Sequence, residues 1–334
     1  MPTVSVIVPC YNEEATIGLL LEAVYAQTYP RAEMEVIIAD GLSSDNTRAQ
    51  IAAFQHTHPD LEIRVVDNNT RTIPAGLNRA IEAARGQYIL RLDAHSIPYP
   101  NYVEKSILAL EQGRGDNVGG VWEIRPGGKG WIAETIAAAA AHPFAVGDAL
   151  YRHGTRAAEV DTVPFGAYRK TLIEKIGNYD ENLLTNEDYE FNTRIRQAGG
   201  RLWLDPEIRS VYFARSTLRA LAQQYWRYGF WKWRMLRRYP KTLRWRQALP
   251  PLFVLGLPTG ILLALLFPIL WYLVGVVIAL YFSVLLFAGL QTAVRLRRAV
   301  MVPGLLLAIP LMHFAWGGGF LWSILTSLGG HQRG

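Results

Sequence analysis

The chain has 334 residues, half of them apolar, enough to bury a large core and to hold more than one structural unit. Its net charge of +6 conceals a division: through Glu207 the chain carries −9, and beyond it stand 15 basic residues and no acid. The single cysteine, Cys10, excludes an intrachain disulfide and fits a reducing compartment.

Val4 to Val8 is a β-branched run closed by Pro9, so a strand opens the chain and no signal peptide is expected before it. A helical pattern follows from about Glu14 to Ala26. A second unit pairs a strand over Glu35 to Ala39 with a helix over Thr47 to Phe54, for which Ser43, Ser44 and Asp45 are available as caps. A third pairs Ile63 to Val66 with Pro74 to Arg85, and a fourth strand runs from Gln87 to Leu92. Alternation of this kind gives a mostly parallel sheet that binds its ligand across the carboxyl ends of the strands. Tyr11-Asn12-Glu13, Asp40, and Asp93 with His95 all fall at those ends. No Gly-x-Gly-x-x-Gly follows the first strand and no P-loop occurs anywhere, which disfavours an ordinary dinucleotide oxidoreductase or a P-loop enzyme.

Asp93-Ala94-His95 ends an apolar run. A carboxylate there can hold a divalent cation, and the cation the two phosphates of a sugar nucleotide. Imidazole is a softer ligand than Mg²⁺ prefers, and Mn²⁺ tolerates nitrogen better, so His95 leaves the ion open between the two. Further on, Asn186-Glu187-Asp188 opens a helical pattern over Tyr189 to Gln197, placing two carboxylates at a helix start. The blander readings are a turn at Asp40-Gly41 and helix-start acids at Glu13 and at Glu187-Asp188.

From Ala248 to Val294 there is no Asp, Glu, Lys or Arg, a stretch about twice the roughly 20 residues that cross a bilayer as a helix. Two spans are expected, near 249 to 267 and 269 to 292, turning at Pro268. A third, near 300 to 326, holds only His313 as an ionisable side chain. Pro303, Pro310 and Gly317-Gly318-Gly319 make it less regular, broken or partly re-entrant. Arg237, Arg238, Lys241, Arg244 and Arg246 precede the first span, and Arg295, Arg297 and Arg298 follow the second. Both clusters belong on the cytoplasmic side, which places the amino-terminal domain there and sends the C-terminus outward. Before the spans, Trp226, Phe230 and Trp233 form a stripe beside Arg227, Arg234 and Arg238, unless Gly229 interrupts the helix. Aromatics beside cations suit an interfacial helix on an anionic leaflet, and the adjoining spans favour membrane over nucleic acid.

Val4 to Glu14, Asp40 to Thr47, Leu92 to His95 and Asn186 to Glu190, in this order, resemble the motifs of family 2 glycosyltransferases with a GT-A fold. The Asp-Ala-His variant, Phe165 to Lys170, Tyr228-Gly229 and the C-terminal spans most resemble the succinoglycan-biosynthesis glucosyltransferase type. The resemblance implies an α/β, Rossmann-like GT-A nucleotide-sugar domain over residues 1–212. The resemblance covers roughly residues 3 to 240 by motif, and joined to the hydropathy of the rest it implies basic aromatic interfacial helices over 213–247, a transmembrane hairpin over 248–294 and a third transmembrane segment over 299–327.

It further implies an inverting, metal-dependent hexosyltransferase in an inner membrane. The enzyme would move a hexose, glucose from UDP-glucose, onto a lipid-linked polyprenyl diphosphate saccharide. Association with further copies of the chain stays open, and a processive synthase or a non-catalytic nucleotide-binding scaffold are the rival readings. By the same resemblance Asp188 is the general base and Glu187 positions it or the acceptor. Pro9, Tyr11, Glu13, Asp40, Asp93, Gln224 and Arg227 bind the donor, with Asp40 on the uracil edge and Arg227, from Gln224-Tyr225-Trp226-Arg227-Tyr228, on the departing diphosphate. Phe165, Gly166, Ala167, Arg169 and Glu187 line the acceptor, Gly166 leaving room for a ligand, and Asp93 with His95 holds Mn²⁺ or Mg²⁺.

Overall fold

The computed structural model describes residues 2–328. The side chains of Lys241 and Arg246 and the C-terminal residues 329–334 lie outside the described residues, and with them the expected placement of the C-terminus.

The elements in chain order are β1 (Val4–Cys10), α1 (Ile17–Tyr25), β2 (Met34–Asp40), α2 (Thr47–Thr57), β3 (Glu62–Asp67), α3 (Ile73–Ala83), β4 (Tyr88–Arg91), β5 (Ser96–Pro98) and α4 (Tyr102–Glu111). Then come β6 (Asn117–Pro126), α5 (Trp131–Ala140), α6 (Pro143–Val146), β7 (Ala158–Glu159), β8 (Ala167–Arg169), α7 (Thr171–Ile176), α8 (Glu187–Gln197) and β9 (Leu202–Ala214). Four long helices close the chain: α9 (Leu218–Arg238), α10 (Trp245–Leu266), α11 (Leu270–Leu296) and α12 (Met301–Leu328). They divide into two compact units, Met1–Glu123 with Ala149–Tyr212, and Ile124–Asp148 with Phe213–Gly334. The expected continuous domain over 1–212 thus loses residues 124–148, whose apolar helix α5 belongs with the C-terminal helices.

In the first unit the sheet runs β3-β2-β1-β4-β8-β6-β9-β5, with β7 on β9. β3, β2, β1 and β4 are parallel and β8 returns antiparallel to β4. Strand alternation divides the core between the two faces. Val6, Val8, Val36, Ile38 and Leu90 pack with Leu20 and Leu21 of α1 and Ile51 of α2. Ile7, Ile37 and Ile89 pack with Leu77 of α3 and Phe191 and Ile195 of α8. These side chains are almost fully buried, each worth about 1.5–3 kcal/mol, so the register of the central strands is tightly held. That register sets Cys10 beside Asp40 and Asp40 beside Asp67, aligning three carboxyl ends on one rim.

The second unit holds three helices long and apolar enough to cross a membrane, Gln247–Leu266, Leu270–Leu296 and Met301–Leu328. α9 is continuous through Gly229, and α12 is continuous where a break was expected. Pro303 falls in the first turn of α12, where its missing N–H donor costs no intrahelical hydrogen bond. The glycines serve helix packing. A Cβ on Gly317 would lie 2.7 Å from the Pro250 carbonyl oxygen, and one on Gly319 would lie 2.2 Å from that of Trp226.

Candidate active site

The loop after β1 and the loop after β2 are knitted together. Asn12 N donates to Ser43 Oγ (2.8 Å), Glu13 N to Thr47 Oγ1 (2.8 Å) and Glu14 N to Asp45 Oδ2 (3.2 Å). In return Ser44 N donates to Asn12 Oδ1 (2.9 Å) and Asn46 N to Glu14 Oε2 (3.0 Å). Gly41 lets the Tyr11 ring lie close against the loop, since a Cβ there would lie 3.0 Å from it. Of the described non-glycine residues with positive φ, Asn12, Leu42, Arg71, Phe165 and Asn186 all stand in loops at the sheet rim or at the start of α8. Strained backbone of this kind gathers at functional sites.

Tyr11 is 42 % exposed, and the Arg71 guanidinium carbon lies 5.5 Å from its ring centroid. Arg71 is held by a turn around buried Asn68, whose Nδ2 donates to Thr72 O (2.9 Å) and whose Oδ1 accepts from Thr70 Oγ1 (2.9 Å). An exposed ring backed by a cation is a platform for a flat ligand. Asp40 is not offered to a ligand. It is fully buried, with its carboxylate taken by Ser43 N, Ser43 Oγ and Arg48 Nε, and Arg48 also bridges to Asp67. Pro9 lies one step inside the rim beside Ala39.

Arg91, unremarked in the sequence, organises the acidic centre. It is 4 % exposed, and its Nη2 donates to Asp93 Oδ1 (3.1 Å) and to Glu187 Oε1 (2.8 Å). Among the described residues Asp93 Oδ2 accepts no hydrogen bond, and the Asp93 side chain is 20 % exposed. Nearby, His95 Nδ1 lies 2.9 Å from Glu13 Oε1. Burial works to raise the Glu13 carboxyl, but hydrogen bonds from His95 and Thr16 outweigh it and hold it below its usual range.

Asn186, in the left-handed conformation, turns the chain into α8 so that Glu187 and Asp188 begin the helix. Burial raises both carboxyls and Arg91 opposes it. Asp188 Oδ1 accepts from the following Tyr189 amide (2.7 Å), and Glu187, 6 % exposed, is committed to Arg91. Glu187 therefore orients the cluster and is not turned toward an acceptor.

The expected acceptor set divides. Phe165 stands level with the rim because Arg91 N donates to Gly166 O (3.1 Å). Gly166 leaves no room for a ligand: a Cβ there would lie 2.1 Å from Asn117 Oδ1, and Asn117 Nδ2 donates to Asn192 Oδ1 (2.8 Å) of α8. Ala167 is buried within the sheet opposite Leu90. Arg169 is carried away from the site, since antiparallel β8 places it beside Tyr88 at the far end of β4. There it donates to Tyr88 Oη (2.8 Å). Gln224 and Arg227 lie in the second unit, where Gln224 Nε2 donates to Tyr228 Oη (2.9 Å).

Beside the Asp93 loop stands an aromatic wall that the sequence did not disclose. Trp122 stacks on Tyr212 (4.3 Å), meets Phe165 (5.5 Å) and Tyr151 (4.9 Å), and has Arg152 within 5.1 Å of its ring. Tyr212 pairs with Ser96, next to His95.

The described residues hold no ready-made cluster of three or more His, Cys, Asp or Glu side chains able to enclose a metal. The unengaged oxygen of Asp93, fixed through its other oxygen by Arg91, suits a cation that takes one or two protein ligands and completes its shell with phosphate oxygens. The donor chemistry at the rim therefore fits a metal–diphosphate pair.

A family model described as glycosyl transferase family 2 matches residues 5–177. The chain is 29 % identical to the succinoglycan biosynthesis protein ExoA of Rhizobium meliloti over 322 residues, 96 % of this chain and 94 % of that one. It is 27 % identical over 320 residues to a dolichyl N-acetyl-α-D-glucosaminyl phosphate 3-β-D-2,3-diacetamido-2,3-dideoxy-β-D-glucuronosyltransferase of Methanococcus voltae, 94 % of this chain and 93 % of that one. Among solved structures, a mannosyltransferase of Pyrobaculum calidifontis in complex with GDP-Man and Mn²⁺ shares the fold, with a TM-score of 0.62 at 22 % identity over 96 % of this chain and 87 % of that one.

Proposed function

We propose, for a chain that belongs to glycosyl transferase family 2, that it moves a hexose from a UDP-sugar to a lipid-linked saccharide at the cytoplasmic face of a membrane, with inversion. The observation that carries this reading is the Arg91 bridge, which joins the cation-ready Asp93 to the acidic start of α8 within one rim.

Asp93, with His95 beside it, would hold Mn²⁺ or Mg²⁺, and the bound ion would supply neutralisation of the charge developing on the diphosphate leaving group. Tyr11 and Arg71 hold the nucleoside, Tyr11 by stacking on the base. Glu13 orients His95. Asp188 takes the acceptor hydroxyl proton as the oxygen attacks the anomeric carbon, forming the glycosidic C–O bond while the C–O bond to the diphosphate breaks. A single displacement inverts that carbon, so no covalent intermediate is required. Phe165 and the Trp122 wall give the acceptor sugar an apolar face to rest on. A polyprenyl-linked saccharide as acceptor is supported by the dolichyl-linked substrate in the name of the Methanococcus voltae relative and by the apolar helices, and we propose glucose as the hexose and a diphosphate as the link to the lipid.

The test is UDP release from UDP-glucose with Mn²⁺ and a lipid extract. Turnover that disappears in Asp188→Asn supports the enzyme, whereas nucleotide binding with no turnover on any acceptor defeats it.

A further inference from the structure

We infer that only α10 and α11 cross the bilayer, and that α12 lies with α9 across the root of this hairpin as a two-helix platform against the near, anionic leaflet. α12 is long enough to span, but its neighbours are those of a helix at the root. Near its start, Val302 packs on Gly289, which is seven residues from the end of α11 and so about 10 Å from the root. Fifteen residues later, about 22 Å along the axis, Gly317 packs on Pro250, which the stack of Phe253 on Tyr281 (4.7 Å) sets only about 8 Å further from the end of α11 than Gly289, so α12 rises about 8 Å while it advances about 22 Å. Phe314 meets Phe253 in the same region, with ring centroids 5.7 Å apart.

A helix leaving the end of α11 and crossing some 30 Å of hydrocarbon would stand at Gly317 beside the hairpin's turn. Among the described residues the turn has no such neighbour: Leu266, Phe267, Ile269 and Tyr272 are 59–76 % exposed. The hydrogen bond from the Tyr281 hydroxyl, midway along α11, to His313 Nδ1 (2.9 Å) gives α12 a tilt and does not bring it to the turn.

The second half of α12 is occupied by α9. A Cβ on Gly229 would lie 1.9 Å from the Trp316 carbonyl oxygen, and Trp233 Nε1 donates to Ser327 Oγ (2.9 Å), so the two helices run side by side in the same direction. α9 carries Arg227, Arg234, Arg237 and Arg238. Were α12 to cross, these arginines would be drawn into or past the hydrocarbon, at about 2.5–3.5 kcal/mol for each one near its centre. Lying at the root, they meet anionic headgroups instead, each worth about 1 kcal/mol. The remaining open stripe of α12, Leu307, Phe314, Trp322 and Leu325, is apolar and suits shallow burial in the leaflet. The end of α12 then stays on the same side as Arg295, Arg297 and Arg298, opposite to the outward C-terminus expected from hydropathy. None of this depends on the chemistry at the rim.

The test is labelling with a membrane-impermeant maleimide in intact cells and in inverted vesicles. Three full-length forms each carry one added cysteine: Ile269→Cys at the hairpin turn, Ala299→Cys between α11 and α12, and a short polar cysteine peptide appended after the last residue. Cys10 is buried and serves as a silent background. The expected result is labelling of Ile269→Cys from outside only, and of the other two from the cytoplasmic side only. Labelling of the appended cysteine from outside, or of Ile269→Cys from inside, overturns the inference.

Discussion

Arg91 and Glu187, 96 positions apart, meet through a 2.8 Å hydrogen bond at the centre of the rim. This contact fixes the start of α8 against the strand that presents Asp93. Removing one partner of a buried ion pair leaves the other charge unpaired, at about 3–5 kcal/mol. Arg91→Met should therefore lose stability on that scale in a denaturation experiment, and lose turnover even where it remains folded. Arg91→Lys keeps the charge but not the two-pronged geometry, and should recover stability better than turnover.

Tyr11 and Arg71 act on the donor before chemistry. Arg71→Ala should raise the donor KM with little change in kcat, by a factor matching about 0.5–2 kcal/mol. Steady-state kinetics at saturating acceptor give the split, and a pure kcat defect would remove Arg71 from the donor platform.

The pH profile carries a sign. Asp188 must be ionised to accept a proton, and burial raises its carboxyl against the pull of Arg91. Turnover should therefore fall as pH drops through a value above that of a free aspartate, the acid limb being displaced upward. The same shift means that the folded state holds the proton more tightly. It favours folding at pH below the unfolded value and costs stability as pH rises from there through the folded value. An acid limb at the position of a free aspartate would contradict the burial of this group.

Glu35 behaves oppositely. Burial works to raise its carboxyl, but hydrogen bonds from Ser5, the Arg85 amide and Arg64 prevail and lower it. Its stabilisation is present above the unfolded value and lost as pH falls through the folded one. Glu35→Gln should flatten the acid side of the stability curve, as measured by chemical denaturation at several pH values.

Gly166→Ala places a methyl group onto Asn117, and overpacking of this kind costs about 1–3 kcal/mol. Thermal denaturation should show the loss, and it should shrink when Asn117→Ala is added, because the clash is with that side chain.

The parallel half of the sheet was legible because its strands are short apolar, β-branched runs between helical patterns. The rim motifs Asp93-Ala94-His95 and Asn186-Glu187-Asp188 were legible because acids at strand and helix ends stand out locally. Arg91 had a readable signal that went unused: a charge inside the apolar strand Tyr88-Ile89-Leu90-Arg91-Leu92 must find buried partners. The direction of β8 was not readable, since its antiparallel insertion depends on pairing across 80 residues, and so Arg169 was placed at the wrong end. In the sequence Gly166 reads as room for a ligand and Gly317 to Gly319 as a break in the helix, whereas both mark close approach within the protein. Only the coordinates distinguish a ligand from Asn117, or a broken helix from a neighbouring backbone. The exclusion of 124–148 from the first unit likewise follows from contacts with distant helices.

The most direct measurement is transfer of labelled glucose from UDP-glucose to membrane lipid by the wild type, Asp93→Asn and Asp188→Asn, each with Mn²⁺ and with excess chelator. The wild type should transfer only with the ion, and Asp188→Asn should bind UDP normally while losing on the order of 10²–10⁴ in rate. Asp93→Asn should be inactive at ion concentrations that saturate the wild type. Full transfer in chelator, or by Asp188→Asn, would show that the rim joined by Arg91 is not where the sugar is moved.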